Sequence, residues 1–364
     1  MSFHKKALYT DMTQNYLTPV EPMSHTRVKV RFRTGRGNVD RVTICYNGQK
    51  AIMRKDSFDD MFDYYAYHIR LTDEPIYYHF EVEAEDESCY YNWLGISKSE
   101  EARYDFILVP GFATPDWAKG AVVYQIYVDR FYNGDSSNDV VNDEYYYQGR
   151  PVKHAGHWNE PVSRTDEGTF YGGDLQGIID KMDYLEGLGV EVLYLNPIFV
   201  SPSSHKYDIQ DYRHIDPHFG KIVNREECGL KDGYEQYRGI TTDRENLEAS
   251  DRLFARLVEE AHKRGMKVIL DGVFYCCGSW HRFMDKEGIY ANGDTCSIKG
   301  AYQDSNSPYR EYFQYKNPQD ANSYENWWGY EAYAKFNYEN SRKLYEYILS
   351  VAVKWVSKPF CADG

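Results

Sequence analysis

The sequence predicts a multi-domain chain: an all-β sandwich over residues 1–112, then an incomplete (β/α)8 TIM barrel over residues 113–364. Three observations predict it. Short runs before residue 112 alternate apolar and polar residues with period two. After it, apolar strands alternate with helical patterns, as in a parallel β/α sheet. The 252 residues beyond the boundary match the length of a whole barrel, about 250, yet only three strand–helix units can be counted in them.

In the first part, Thr26 to Thr34 alternates around Val28, Val30 and Phe32, and Arg41 to Tyr46 around Val42 and Ile44. Further runs lie at Tyr64 to Leu71, Ile76 to Val82 and Tyr104 to Val109, with turn residues such as Thr34-Gly35-Arg36-Gly37 between runs. Pro110-Gly111 and Pro115 punctuate the end of this part. Then Ala121 to Val128 reads as a strand. Asp174 opens a helical pattern carrying Leu175, Ile178, Ile179, Met182 and Leu185, which Gly187 and Gly189 stop. Val190 to Leu195 is a buried strand. A second helix carries Leu253, Phe254, Leu257, Val258 and Ala261, and the strand Lys267 to Phe274 follows Gly265. A third helix carries Leu344, Ile348, Val351 and Trp355. Residues 276–337 form a long aromatic and polar insertion before it, and such loops are functional or form a subdomain. A fourth strand should be starting at Cys361-Ala362-Asp363-Gly364.

Composition narrows the function. With 42 basic and 56 acidic residues the net charge is −14, which argues against nucleic-acid and anionic-membrane partners. No apolar run approaches the roughly 20 residues of a membrane helix. Met1 to Lys6 is basic with no apolar stretch behind it, so no signal peptide is expected. Seven cysteines without a CxxC pair suit a reducing cytoplasm. The 36 tyrosines within an aromatic content of 16% suit sugar rings, or simply fill sheets and loops.

Four segments could carry chemistry. Asp129 to Asp139 follows the first barrel strand. Its Asn133, Asp135, Asn138 and Asp139 offer the oxygen ligands of a hard cation such as calcium, or else form a solvated Asx-rich turn. Tyr171-Gly172-Gly173-Asp174 opens a helix. Its glycines could cradle phosphate, though GxGxxG and a P-loop lysine are lacking, and an N-cap by Asp174 explains the segment equally well. Ser204-His205-Lys206-Tyr207-Asp208 follows the second strand, where barrel active sites lie; a surface loop is the alternative. Asp271, in Leu270-Asp271-Gly272-Val273-Phe274, would point a carboxylate into the barrel mouth.

In this order and spacing the four segments resemble the α-amylase family, glycoside hydrolase family thirteen, and its neopullulanase and cyclomaltodextrinase branch. Val123-Tyr124-Gln125-Ile126-Tyr127 with Asp129-Arg130-Phe131 is similar to the family's first strand. The resemblance implies a carbohydrate-binding-type N-terminal sandwich and a barrel opening in which residues 276–337 are the insertion called domain B. It also implies a structural Ca2+ ion held by Asn133, Asp135, Asn138, Asp139, Asp174 and the carbonyl of Gly172. Tyr207 matches the tyrosine that stacks on the sugar at the cleavage site, and Asp271 the aspartate that orders the active centre. His205 shares the Tyr207 loop and is expected to bind substrate with it. Lys335 and Asn337 sit where this branch carries Met-Pro-Lys-Leu-Asn, here Tyr333-Ala334-Lys335-Phe336-Asn337, and Lys335 is expected to bind substrate as well.

The implied activity is retaining hydrolysis of α-1,4-glucans such as maltodextrin, cyclodextrin or pullulan, with an α-glucan oligosaccharide as the partner. A homodimer through the N-terminal domain is implied as well. Two departures stand out. The family's Asn-His after the third strand is Tyr275-Cys276 here, and a cysteine is a weak, short donor. Ala362-Asp363-Gly364 resembles the residues just before the family's nucleophile motif. Retaining cleavage needs two carboxylates about 5–5.5 Å apart, and neither matched position lies in this chain. The chain is therefore expected to be a fragment, hydrolytically inactive by itself. The alternative is a non-catalytic glucan-binding or interaction module, for which Trp327 and Trp328 are candidate contacts unless they pack the insertion.

Overall fold

The computed structural model describes residues 3–85, 87–162, 166–225, 233–291 and 298–364. Met1 and Ser2 of the N-terminal run, and residues 292–297 of the insertion, lie outside the described residues. The chain divides into two compact units, Met1–Gly120 and Ala121–Gly364. Pro110-Gly111 follows the last sandwich strand, but the next residues stay with that unit. The Thr114 N–H and the Lys119 ammonium both donate to the Glu21 carboxylate, at 2.9 and 2.8 Å. The division therefore falls at Gly120 rather than near residue 113.

The first unit is a sandwich of two antiparallel sheets. One has the order Leu17–Thr18, Arg27–Gly35, Phe62–Arg70, Arg54–Phe58. The other runs Gln49–Ile52, Arg41–Tyr46, Ile76–Ala84, Glu87–Asn92, Gly95–Ser97, with Phe106–Leu108 also paired to Ile76–Ala84. Alternation explains the core: Val28, Val30 and Phe32 face inward against Val42, Ile44, Tyr78, Phe80 and Val82, all buried. The Phe32 and Phe80 rings lie 4.6 Å apart. Five strands have no expected counterpart. The five residues of Arg54–Phe58 are all exposed, so no apolar period marks that strand.

The second unit contains three parallel strands in the order Val123–Ile126, Val192–Leu195, Lys267–Leu270. The first helical pattern is realised as two short helices, Leu175–Asp180 and Met182–Gly187, separated at Lys181. Leu175, Ile178, Met182 and Leu185 are buried from both. Helix Arg244–Lys263, capped by the Asp243 side chain, buries Phe254, Leu257, Val258 and Ala261. Helix Arg342–Val356 buries Leu344, Ile348, Val351 and Trp355. The chain's last residues lie along the third strand: the Asp363 N–H donates to Val268 O at 2.8 Å and the Leu270 N–H to Gly364 O at 2.9 Å. Within 276–337, strands Cys276–Gly278, Tyr330–Lys335 and Asn326–Trp327 form an antiparallel sheet. No described helix is long and apolar enough to cross a membrane. Many tyrosines do core work: Tyr78, Tyr145, Tyr212 and Tyr237 are fully buried.

Candidate functional site

The ends of the parallel strands set the site. The Asn196 N–H donates to Ile126 O and the Asp271 N–H to Leu195 O, each at 3.0 Å, so the residues that end neighbouring strands are held side by side. The Tyr207 hydroxyl donates to Asp271 Oδ2 at 2.9 Å across 64 residues of sequence. Burial, and then this bond to a carboxylate, push the Tyr207 phenol well above its ordinary value. It stays a neutral donor. Tyr194, from the second strand, is raised by burial and by the same carboxylate.

The loop after the second strand is two-sided. His205 and Tyr207 are partly exposed, while Lys206 and Asp208 are buried. The Lys206 ammonium donates to Ser201 O and to Asp216 Oδ2, both at 2.7 Å. Asp216 in turn accepts from the Ser201 and His218 N–H groups, and His218 Nε2 lies 2.8 Å from Glu144. Burial opposes ionisation of Asp216, but Lys206 and His218 overcome it and hold the carboxyl well below the usual range. His218 is raised despite burial, by Glu144 and Asp216. Asp208 accepts from the hydroxyls of Ser201, Ser203 and Tyr147. Sequence reasoning missed this anchor, because buried lysine and aspartate are rare by residue type.

His205 Nδ1 accepts the Tyr207 N–H at 3.0 Å, which places its proton on Nε2, 3.4 Å from the Tyr333 hydroxyl. Tyr333 lies 5.9 Å from Trp327, and Trp327 lies 5.5 Å from Tyr275, ring to ring. Tyr207, Asp271 and His205 are thus brought to one place, bordered by the aromatics of the insertion. Lys335 is not brought to them by any described hydrogen bond: it pairs across the sheet with Cys276 and its ammonium lies 3.3 Å from Glu325. Cys276 is fully buried, its thiol pushed up to about 12 by burial, so it offers the site no charge. Tyr275 is 42% exposed.

A second cluster joins the loop after the first strand to the helix opened by Asp174. The Asp174 carboxylate accepts from the N–H groups of Gly177, Gly134 and Asp135 and from Asn138 Nδ2. It is therefore an N-cap that also organises the Asx-rich loop. Asn133 Nδ2 lies 2.8 Å from Asp139 Oδ1. Gly172 has φ +79°, and a Cβ there would sit 2.4 Å from Asn133 Nδ2 and 2.5 Å from Asp139 Oδ1. Asn138 Oδ1 is buried without a partner. Burial pushes Asp139 up to about 6.

Carboxylate, amide and carbonyl oxygens around an orphaned buried acceptor are the donor chemistry of calcium. Asp135 is the exception, since its charge is already neutralised by the Lys221 ammonium, whereas Asp174 accepts only from neutral N–H groups. Among the described residues no group of three or more His, Cys, Asp or Glu side chains is arranged to hold a metal. A cation here would depend on the amides and the Gly172 carbonyl as much as on carboxylates.

Residues 125–228 and 237–357 match the family model for the alpha amylase catalytic domain, and residues 1–109 that for the alpha amylase N-terminal ig-like domain. Neopullulanase 2 of Thermoactinomyces vulgaris is 32% identical over 272 residues, covering 71% of this chain and 39% of the relative. A cyclomaltodextrinase of Geobacillus thermopakistaniensis (strain MAS1) is 30% identical over 379 residues, covering 99% and 55%. The solved type III pullulan hydrolase from Thermococcus kodakarensis has a TM-score of 0.57 at 25% identity, covering 98% of this chain and 55% of that one. The chain spans no more than 55% of the length of each of these relatives. Both units are matched in series, and the barrel-mouth segments converge in space. The chain belongs to the α-amylase family, alongside neopullulanases and cyclomaltodextrinases.

Proposed function

We propose that this chain carries the substrate-holding part of a retaining glycosidase acting on α-1,4-glucans: maltodextrins, cyclodextrins or pullulan. The observation that carries the reading is the Tyr207–Asp271 hydrogen bond at the strand ends. It pins the hydroxyl end of Tyr207 at the strand ends, so the ring is held where it can meet the apolar face of a glucosyl unit. His205 Nε2–H and Asp271 supply the polar groups that would orient the sugar hydroxyls. Calorimetric titration with maltoheptaose should give saturable heat, and Tyr207→Ala should weaken binding about tenfold, or 1.4 kcal/mol. A flat titration of the unaltered chain overturns the proposal.

A non-catalytic glucan-binding module is the second reading, favoured by one observation: Trp328 is 79% exposed. Reducing-sugar release from maltodextrin or β-cyclodextrin at ordinary enzyme rates would remove it.

Calcium belongs to the same proposal. Asn133, Asn138, Asp139, Asp174 and the Gly172 carbonyl would hold it, and when bound it would supply only a structural cross-link between the first loop and the first helix. Melting with and without a chelator tests this. Calcium at a hundred times its dissociation constant should add about 2.7 kcal/mol, and an unchanged melting temperature would refute the site. A reducing cytoplasm and a homodimer through the N-terminal unit complete the reading. The five described cysteines are unpaired, and Trp93 and Leu94 of the sandwich are exposed. Sedimentation velocity decides the dimer: a monomer at every concentration excludes it.

A further inference from the structure

We infer that Trp328 is a stacking platform for one glucosyl ring, a subsite beyond the Tyr207–Asp271 centre; this rests on the glucan reading above. The first support is a backbone that does not suit a tryptophan. Trp327 pairs with Tyr330, so Trp328-Gly329 is a two-residue hairpin turn, with φ +51° and +86°. Turns with positive φ at both positions favour Asn-Gly. The chain uses that pair elsewhere: Tyr46 pairs with Gln49 around Asn47-Gly48, with φ +44° and +75°. A bulky side chain in the left-handed region is an outlier that the surroundings must repay.

Core packing does not repay it. Trp328 is 79% exposed and lies against Trp327 through one ring face, with centroids 4.3 Å apart and planes 12° apart. Its broad apolar surface is left in water.

Position is the second support. Trp327 is in ring contact with both Tyr275 and Tyr333. Tyr275 follows Asp271 by four residues, and Tyr333 meets His205. The exposed indole therefore continues the aromatic border of the candidate site instead of standing apart from it. A flat, rigid apolar ring with no charge of its own fits the C–H face of a sugar. A glucan chain seated at Tyr207 and running along this border would reach it with a more distant unit.

Trp328→Asn separates binding from structure, because Asn-Gly is the better turn. We expect its melting temperature to equal or exceed that of the unaltered chain while its maltoheptaose titration weakens at least about tenfold. Trp328→Phe should keep most of the affinity and Trp328→Leu lose it, which holds the test open should the Asn variant misfold. Undiminished affinity in the Asn and Leu variants, with the unaltered chain still binding, overturns the platform and leaves the glucan reading standing. The same holds if Trp328→Asn abolishes self-association while the titration is unchanged, since the indole then covers a second copy. If the unaltered chain does not bind maltoheptaose, both inferences fall together.

Discussion

In the sandwich, the interior is Val28, Val30, Phe32, Ile44, Phe80 and Val82, and the one fully buried carboxylate among its described residues, Asp63, is paired with Arg36 and Lys55, each 42–46% exposed. In the barrel unit, both partners of the Lys206–Asp216 pair are at most 1% exposed, and His218 and Glu144 lie equally deep. The sandwich is held by apolar area, which tolerates small changes in shape. The barrel unit sets its functional loop on charges removed from water. That choice adds little net stability but makes each partner indispensable, because losing one leaves the other buried and uncompensated.

Variants that strike one unit should leave the other alone, and calorimetry should resolve their separate transitions. The largest effect is expected from Lys206→Met, which strands Asp216: about 3–5 kcal/mol from the barrel transition, with the sandwich unmoved. Equal losses in both transitions would show that the units melt as one.

Ile44→Val, in the sandwich core, should cost about 1 kcal/mol and move only the sandwich transition. A shift in the barrel transition would erase the contrast.

The pH profile is a finer probe. Asp216 and Glu144 are lowered in the folded state, against burial, by Lys206 and His218. Their stabilisation is present above their unfolded values, near 4, and is lost as pH falls through the folded ones. His218 is raised by Glu144 and Asp216 against burial, so its contribution is complete below about 6.5 and fades as pH rises through its folded value. The barrel transition should therefore melt highest between about pH 5 and 6.5 and decline as pH rises above that window. His218→Gln should flatten the alkaline side, and an unchanged slope would remove His218 from the account. Smallest of all, Arg41→Ala breaks a solvated pair with Glu83 and should move neither transition measurably.

How much of this was legible in the sequence follows from the same contrast. Alternation exposed the sandwich strands that bury one face. It did not mark Arg54–Phe58, which buries neither, and the Asn47-Gly48 signal for a hairpin was present but unread. The helix Glu235–Thr241, short and containing Gly239, was equally silent. Tyr207 and Asp271 were legible as residues at strand ends, because barrel geometry puts chemistry there. Their hydrogen bond was not, since it closes only when the parallel strands pair. Lys206 stood in a segment that read either as part of the barrel mouth or as a surface loop, and it is buried against Asp216. Trp328, for which packing of the insertion was the alternative, lies in solvent, and no local pattern distinguishes a stacked indole at a turn from one inside.

The alternation of His205, Lys206, Tyr207 and Asp208 gives the loop an anchored side and a presented one. A one-residue slip would bring the ammonium and the carboxylate into the cleft and force the imidazole and phenol inward, so the register is locked from beneath. Positions 205 and 207 then present their side chains to the mouth from a loop whose charge anchor lies at 206 and 208. Libraries at those two sites, with 206 and 208 kept, would vary what the mouth grips while the fold under it stays constant.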